Sequence, residues 1–268
     1  MKMGISTACY YPLETEKALV AVGESGAGTA EIFFNAASEL EPSFIKELMR
    51  IREYYGIFIT SVHPAMSFAD SFMIYSAYER RLKEGVDMYR RYGEIASLLG
   101  AKYIIMHGGK PNGVLNEEEY CERFYMTSRA AAESGAVVLQ ENVVNFRAGD
   151  PAFIKTMKDI LGENAAFCLD IKQSIRALSS PYEIMDIAGS AVKHLHLSDN
   201  TPENDCLLPG RGSFDFVKFI EYAHKKGFSG DGVIEVYKNA YQNYGEIPES
   251  LKILKKDLKN SSLNGIID

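Results

Sequence analysis

Short runs of β-branched, aromatic and aliphatic residues alternate along the chain with longer stretches whose apolar positions recur three and four residues apart. The short runs are MGISTA, AEIFF, GIFITSVH, KYIIMH, AVVLQE, AAFCLD, VKHLHLS and GVIEVY. Each is about 5–8 residues long and largely apolar, as a strand covered on both faces must be. The intervening stretches read as amphipathic helices. One occupies residues 70–99, with Gly100 standing where a helix would stop. Others are EEEYCERFYMTSRAAAESG, DPAFIKTMKDILG, SPYEIMDIAG and SFDFVKFIEYAHKKG. Two of them open on Asp-Pro or Ser-Pro, an N-cap followed by the residue whose fixed φ suits the first helical position.

Parallel strands need crossover connections, so this alternation argues for a parallel sheet. Closing eight such units gives an α/β fold, a single (β/α)8 TIM barrel, with residues 1–268 as one domain. The rival is an open doubly wound sheet, which predicts a glycine-rich phosphate turn after an early strand. GESGAGTA precedes the second strand instead.

Ionisable residues close six consecutive strands. They are His63, His107, Glu141, Asp170, the pair His194 and His196, and Glu235. A barrel gathers these ends around one mouth, where barrel enzymes carry their chemistry. Three carboxylates and an imidazole suit one divalent ion of the Mn, Mg, Co or Zn kind. Carboxylates that close repel one another unless a cation lies between them. His194 and His196 point to the same side of their strand. His196 lies nearer the mouth, and His194 one layer deeper, as a hydrogen-bonded core residue. Glu31 reads as a buried partner in the lower barrel, and His224 as an exposed helix-end residue. Two glycine patches, Gly108-Gly109 and Pro209-Gly210-Arg211-Gly212, are either plain turns or places where backbone N–H groups approach a ligand such as a phosphate.

Composition narrows the partners. The net charge is -7, and lysines and arginines are interspersed with acids. That argues against the basic face a nucleic-acid binder usually displays. No run approaches the roughly 20 apolar residues that cross a bilayer, and the N-terminus has no apolar h-region. A cytoplasmic protein without membrane contact is expected. The four cysteines are scattered, as reduced core or loop residues would be.

At HGG (His107), LQEN (Glu141), LDIKQS (Asp170), HLHLSDN (His196), LPGRGSFDF and IEVY (Glu235), the chain resembles the xylose-isomerase-like barrel superfamily. That group holds sugar-phosphate isomerases, ketose epimerases, inosose-processing enzymes, a dehydroshikimate dehydratase and the endonuclease IV type of abasic-site nuclease. The resemblance implies that Glu141, Asp170, His196 and Glu235 hold one metal ion. It also implies that Glu141 and Glu235 act as catalytic acid and base in proton transfer beside a carbonyl, through an enediolate. His63, His107, Lys172, Gln173 and Arg211 would bind a small-molecule carbohydrate, and a homo-oligomer is allowed for. The nuclease members carry a histidine where Gln173 stands and an Asp-x-His pair where this chain reads NDCLL. At most one tightly bound ion is therefore expected, and a nuclease is the weaker reading. The better-known ketose epimerases also have a histidine at Gln173, and an arginine near Thr201-Pro202, so substrate identity stays open. A dehydratase using the same enolate and a non-catalytic sugar-binding barrel remain as alternatives.

Overall fold

The structure, a computed structural model, describes residues 1–64 and 67–265. Eight strands, β1 (Met3–Ser6), β2 (Thr29–Phe33), β3 (Phe58–His63), β4 (Tyr103–Met106), β5 (Val137–Glu141), β6 (Phe167–Asp170), β7 (Val192–Leu197) and β8 (Asp231–Ile234), are all parallel. They close in the order β1-β8-β7-β6-β5-β4-β3-β2. Outside them lie α1 (Thr15–Glu24), α2 (Pro42–Tyr55), α3 (Glu79–Leu99), α4 (Glu117–Ala132), α5 (Pro151–Leu161), α6 (Pro181–Ala188), α7 (Phe216–Lys225) and α8 (Glu246–Lys259). This is the (β/α)8 barrel that the alternating pattern predicts. The caps follow the sequence signals. Asp150 and Ser180 accept hydrogen bonds from the backbone N–H groups of Ala152 and Tyr182, each just ahead of a proline at the first helical position. Gly100 ends α3 in the left-handed region, φ 72°.

The predicted helix over residues 70–99 is broken. A short helix, Asp70–Met73, is followed by irregular chain before α3 begins at Glu79. Arg123 of α4 holds the break open: its Nη1 donates to the carbonyls of Ile74 (2.8 Å) and Ser76 (2.5 Å). Those carbonyls are thereby satisfied outside any helix. Two further elements carry no helical or strand periodicity of useful length. One is a short helix, Ile171–Arg176, directly after β6. The other is an antiparallel hairpin, Asp199–Thr201 with Asn204–Leu207, after β7.

Leu19, Leu48, Leu99, Phe124, Met157, Met185 and Phe219 are buried in the main apolar core. Burial of such a side chain contributes about 1.5–3 kcal/mol relative to exposure. A second, smaller cluster joins Tyr103, Ile105, Leu139, Ala166 and Cys168 of β4 to β6. Side chains two residues apart share a face. Glu141 therefore stands above Leu139, Asp170 above Cys168, and His196 above His194. The layer beneath the polar mouth is thus mixed, apolar at Leu139 and Cys168 and polar at His194.

Candidate metal centre

His196 is the hub. Its Nδ1 lies 3.2 Å from Glu141 Oε1, 3.3 Å from Glu235 Oε2 and 3.7 Å from Asp170 Oδ2. These four residues offer ligand atoms that all lie within 4.8 Å of one another. Register explains the meeting: Asp170 of β6 pairs with His196 of β7, which pairs with Val233 of β8, two residues before Glu235. Asp170 is further fixed as the N-cap of the Ile171–Arg176 helix. Its Oδ1 accepts the Gln173 backbone N–H at 3.0 Å, and Asn142 Oδ1 accepts the Asp170 backbone N–H at 2.7 Å.

The charges do not balance without a cation. Burial pushes the Glu141 carboxyl up, but His107, His196 and His63 outweigh it and hold that group well below the usual carboxylate range. Burial opposes protonation of His196, yet Cys168, Glu235, Glu31 and Asp170 drive its pKa well above the usual imidazole value. Glu235 is likewise held down, burial being overcome by Lys172 and His196, while burial raises Asp170. Lys172 is buried, and its ammonium sits between Asp170 Oδ2 and Glu235 Oε2, 2.9 Å from the latter. With His196 neutral, as a metal-ligating imidazole is, three carboxylates less one ammonium leave two negative charges, the charge a divalent ion brings. Glu141 Oε2 is buried with no hydrogen-bond donor. An orphaned carboxylate oxygen beside an oxygen- and nitrogen-rich donor set fits a hard or borderline cation.

A second donor group shares Glu141. His107 Nε2 is 3.3 Å and His63 Nε2 3.8 Å from Glu141 Oε2, and the two Nε2 atoms are 3.2 Å apart. His63 stacks on Phe33 at 4.3 Å between centroids. Gln173 Oε1 accepts the Val144 N–H at 3.1 Å. Arg211 is exposed and donates to Glu246 Oε2 at 3.2 Å. The glycine-rich loop around it is occupied from within. The Asp199 carboxylate accepts the backbone N–H groups of Asn200 (2.8 Å), Gly210 (3.0 Å), Gly212 (2.8 Å) and Phe214 (2.9 Å). His224 is half-buried rather than exposed, its ring 6.3 Å from that of Phe228.

Several supporting residues give no local sequence signal. Asp70 Oδ2 accepts the backbone N–H groups of His107 (3.2 Å) and Gly108 (3.3 Å), and Asp70 Oδ1 accepts the Tyr89 hydroxyl (3.0 Å). Gln140 Nε2 donates to the His107 carbonyl at 2.9 Å. Gly108 has φ 83°, and a Cβ there would come within 2.2 Å of the Tyr120 hydroxyl, so only glycine fits. On the other side, Arg176 grips Asp205 of the hairpin with two hydrogen bonds (2.6 and 2.8 Å). It also donates to the Tyr237 hydroxyl at 3.1 Å. Tyr237, Tyr11, Phe33 and Asn35 join Glu235 in lining a cavity of about 550 Å³.

The family model described as xylose isomerase-like TIM barrel matches residues 19–257. The chain belongs to that family. An uncharacterised protein of Methanocaldococcus jannaschii is 26% identical over 97% of this chain and 90% of its own length. Among solved structures, a D-tagatose 3-epimerase-like protein superposes with TM-score 0.78 at 26% identity, covering 99% of both chains. A 3-keto-D-glucoside 4-epimerase from E. coli shares the fold with TM-score 0.74 at 18% identity, covering 96% of this chain and 99% of its own.

Proposed function

We propose that the protein is a divalent-metal-dependent sugar or keto-cyclitol epimerase or isomerase, with Glu141, Asp170, His196 and Glu235 as metal ligands. The observation that carries this reading is the placement of Glu141 and Glu235. Glu141 ends β5 and Glu235 directly follows β8, three strands apart around the barrel, yet both reach within 3.3 Å of one atom, His196 Nδ1. A binding site needs no such opposed pair; proton removal and return from two sides does. When bound, the ion supplies Lewis-acid stabilisation of negative charge developing on a substrate oxygen.

The chain's own groups do the rest. Glu235 opens on the cavity and takes or gives a proton from that side. Glu141 serves from the other side, with the His63 and His107 rings beside its Oε2. Lys172 restrains Asp170 and Glu235 from behind rather than reaching into the cavity. The aromatic wall of Tyr11, Phe33 and Tyr237 gives a ring's C–H face a surface to pack on. The sugar epimerases among the structural neighbours support a carbohydrate substrate. The test is an NMR screen of ketoses, inososes and their phosphates in D2O with Mg²⁺. Deuterium appearing at a carbon beside the carbonyl is the expected result. Loss of water to an unsaturated product would move the assignment to a dehydratase. Absence of exchange across the set, with the metal bound, would remove the reading.

A further inference from the structure

Beneath the quartet, three neighbouring strands place Ser6, Glu31 and Ser61 side by side, since Glu31 pairs in register with Ser6 of β1 and Ser61 of β3. The Glu31 carboxylate is fully buried. Ser6 donates to its Oε1 at 2.9 Å and Ser61 to its Oε2 at 2.7 Å. Across the lumen His196 Nε2 lies 3.1 Å from Glu31 Oε2. We propose, on the basis of the metal assignment above, that Glu31 is a positioning residue for the metal centre. Its carboxylate holds the His196 Nε2–H and so presents Nδ1, as a lone pair, to the ion.

Proton counting supports the assignment. Both serine hydroxyl protons are spent on Glu31. Ser61 Oγ can then only accept from His194 Nε2, 3.2 Å away. That puts His194 in its Nε2–H form, which agrees with its Nδ1 being buried without a partner. Two hydroxyls alone are weak compensation for a carboxylate removed from water, and a third donor is needed. His196 Nε2–H is within reach. With that proton fixed, Nδ1 has no hydrogen in the neutral ring, and it faces three carboxylate oxygens. A lone pair in that position is repelled unless a cation lies between. Carboxylate partners of metal-bound histidines fix the tautomer and ring orientation in this way.

The experiment uses the full chain loaded with ¹¹³Cd²⁺ and carrying ¹⁵N-histidine. The expected result is ¹¹³Cd–¹⁵N coupling at His196 Nδ1 with Nε2 still protonated. Coupling through Nε2 would overturn the inference and leave the metal assignment standing. In parallel, Co²⁺ affinity is measured by chelator competition. Glu31→Gln should weaken binding by about ten- to a hundredfold, with an unchanged d–d spectrum at saturation and an unchanged circular dichroism spectrum without metal. Wild-type affinity in that variant would also overturn the inference. If Glu31→Gln does not fold, Ser61→Ala replaces it, with roughly threefold weaker binding expected from loss of one hydrogen bond. Unchanged affinity there counts against the proposal. A wild-type protein that binds neither Cd²⁺ nor Co²⁺ removes the metal assignment and this inference together.

Discussion

Two buried carboxylates at the barrel mouth stand in opposite situations. Asp199 has all it needs: four backbone N–H groups converge on its two oxygens. Glu141 faces three histidines and two further carboxylates, and its Oε2 has no hydrogen-bond donor. From sequence, the glycine-rich loop beside Asp199 reads either as a plain turn or as a place for a ligand, because glycines let backbone amides approach an anion. The chain supplies that anion itself. A Cβ at Gly212 would come within 2.4 Å of Asp199 Oδ1, so this glycine serves the internal carboxylate. A site able to take a ligand is recognised by an unmet electrostatic demand, and here that demand is for positive charge around Glu141.

The strongest break of this contrast is chemical. Glu141→Gln and Glu235→Gln should each slow solvent exchange at the substrate carbon by about a hundredfold or more. The amide keeps the shape but cannot accept the proton. Metal content must be measured on each variant, because both residues are also ligands. A variant that retains its ion and exchanges at the wild-type rate shows that its glutamate is not the base.

Asp199→Ala attacks the other carboxylate. It leaves four N–H groups without their acceptor in a part-buried loop, which should cost about 2 kcal/mol of stability. Denaturant unfolding reads this directly. A midpoint equal to wild type would mean that water takes over the loop and that Asp199 is not what organises it.

Metal linkage compares the two sites in one measurement. An ion that binds only the folded chain stabilises it by about 1.4 kcal/mol at ten times its dissociation constant. For a chain of this size that raises the melting temperature by roughly 2–3 °C. The rise should persist in Asp199→Ala and shrink in Glu141→Gln. Equal loss in both would tie the loop to the metal. Stoichiometry sharpens the same point: one ion per chain is expected, and a second would point to the His63–His107–Glu141 group.

How far the sequence revealed this depends on where each partner lies. Glu141, Asp170, His196 and Glu235 were legible because strand periodicity and strand ends are local features, and a parallel barrel converts them into a shared mouth. Glu31 and His194 were legible as buried, since they sit inside apolar strands. Their link to His196 was not, because it crosses the lumen. Asp70 was hidden for a different reason. It opens a stretch with helical spacing, and only Arg123, from a later helix, shows that the stretch breaks and turns Asp70 toward the His107 loop. The hairpin carrying Asp205 has strands too short for periodicity to register. Gln173 and Lys172 were expected to contact substrate; which way each side chain turns depends on Val144 and Glu235, far away in sequence.

The smallest expected effect belongs to Arg211, and it tests the occupied loop most directly. If the loop bound a substrate phosphate, Arg211 would be its natural cation, and Arg211→Ala would raise KM for a phosphorylated substrate well over tenfold. The side chain instead lies exposed and pairs with Glu246 at the start of α8. A surface pair of this kind contributes little, and less in salt. Arg211→Ala should therefore change KM less than about twofold, since no anion remains to be bound by amides already engaged with Asp199. Stability should fall by no more than about 0.5 kcal/mol. The comparison needs a neutral sugar and its phosphate assayed side by side with the variant and the wild type. A KM increase confined to the phosphate would show that the loop opens to its ligand and that Asp199 is displaced. Equal values for both would place substrate recognition with the aromatic wall and the carboxylates around His196.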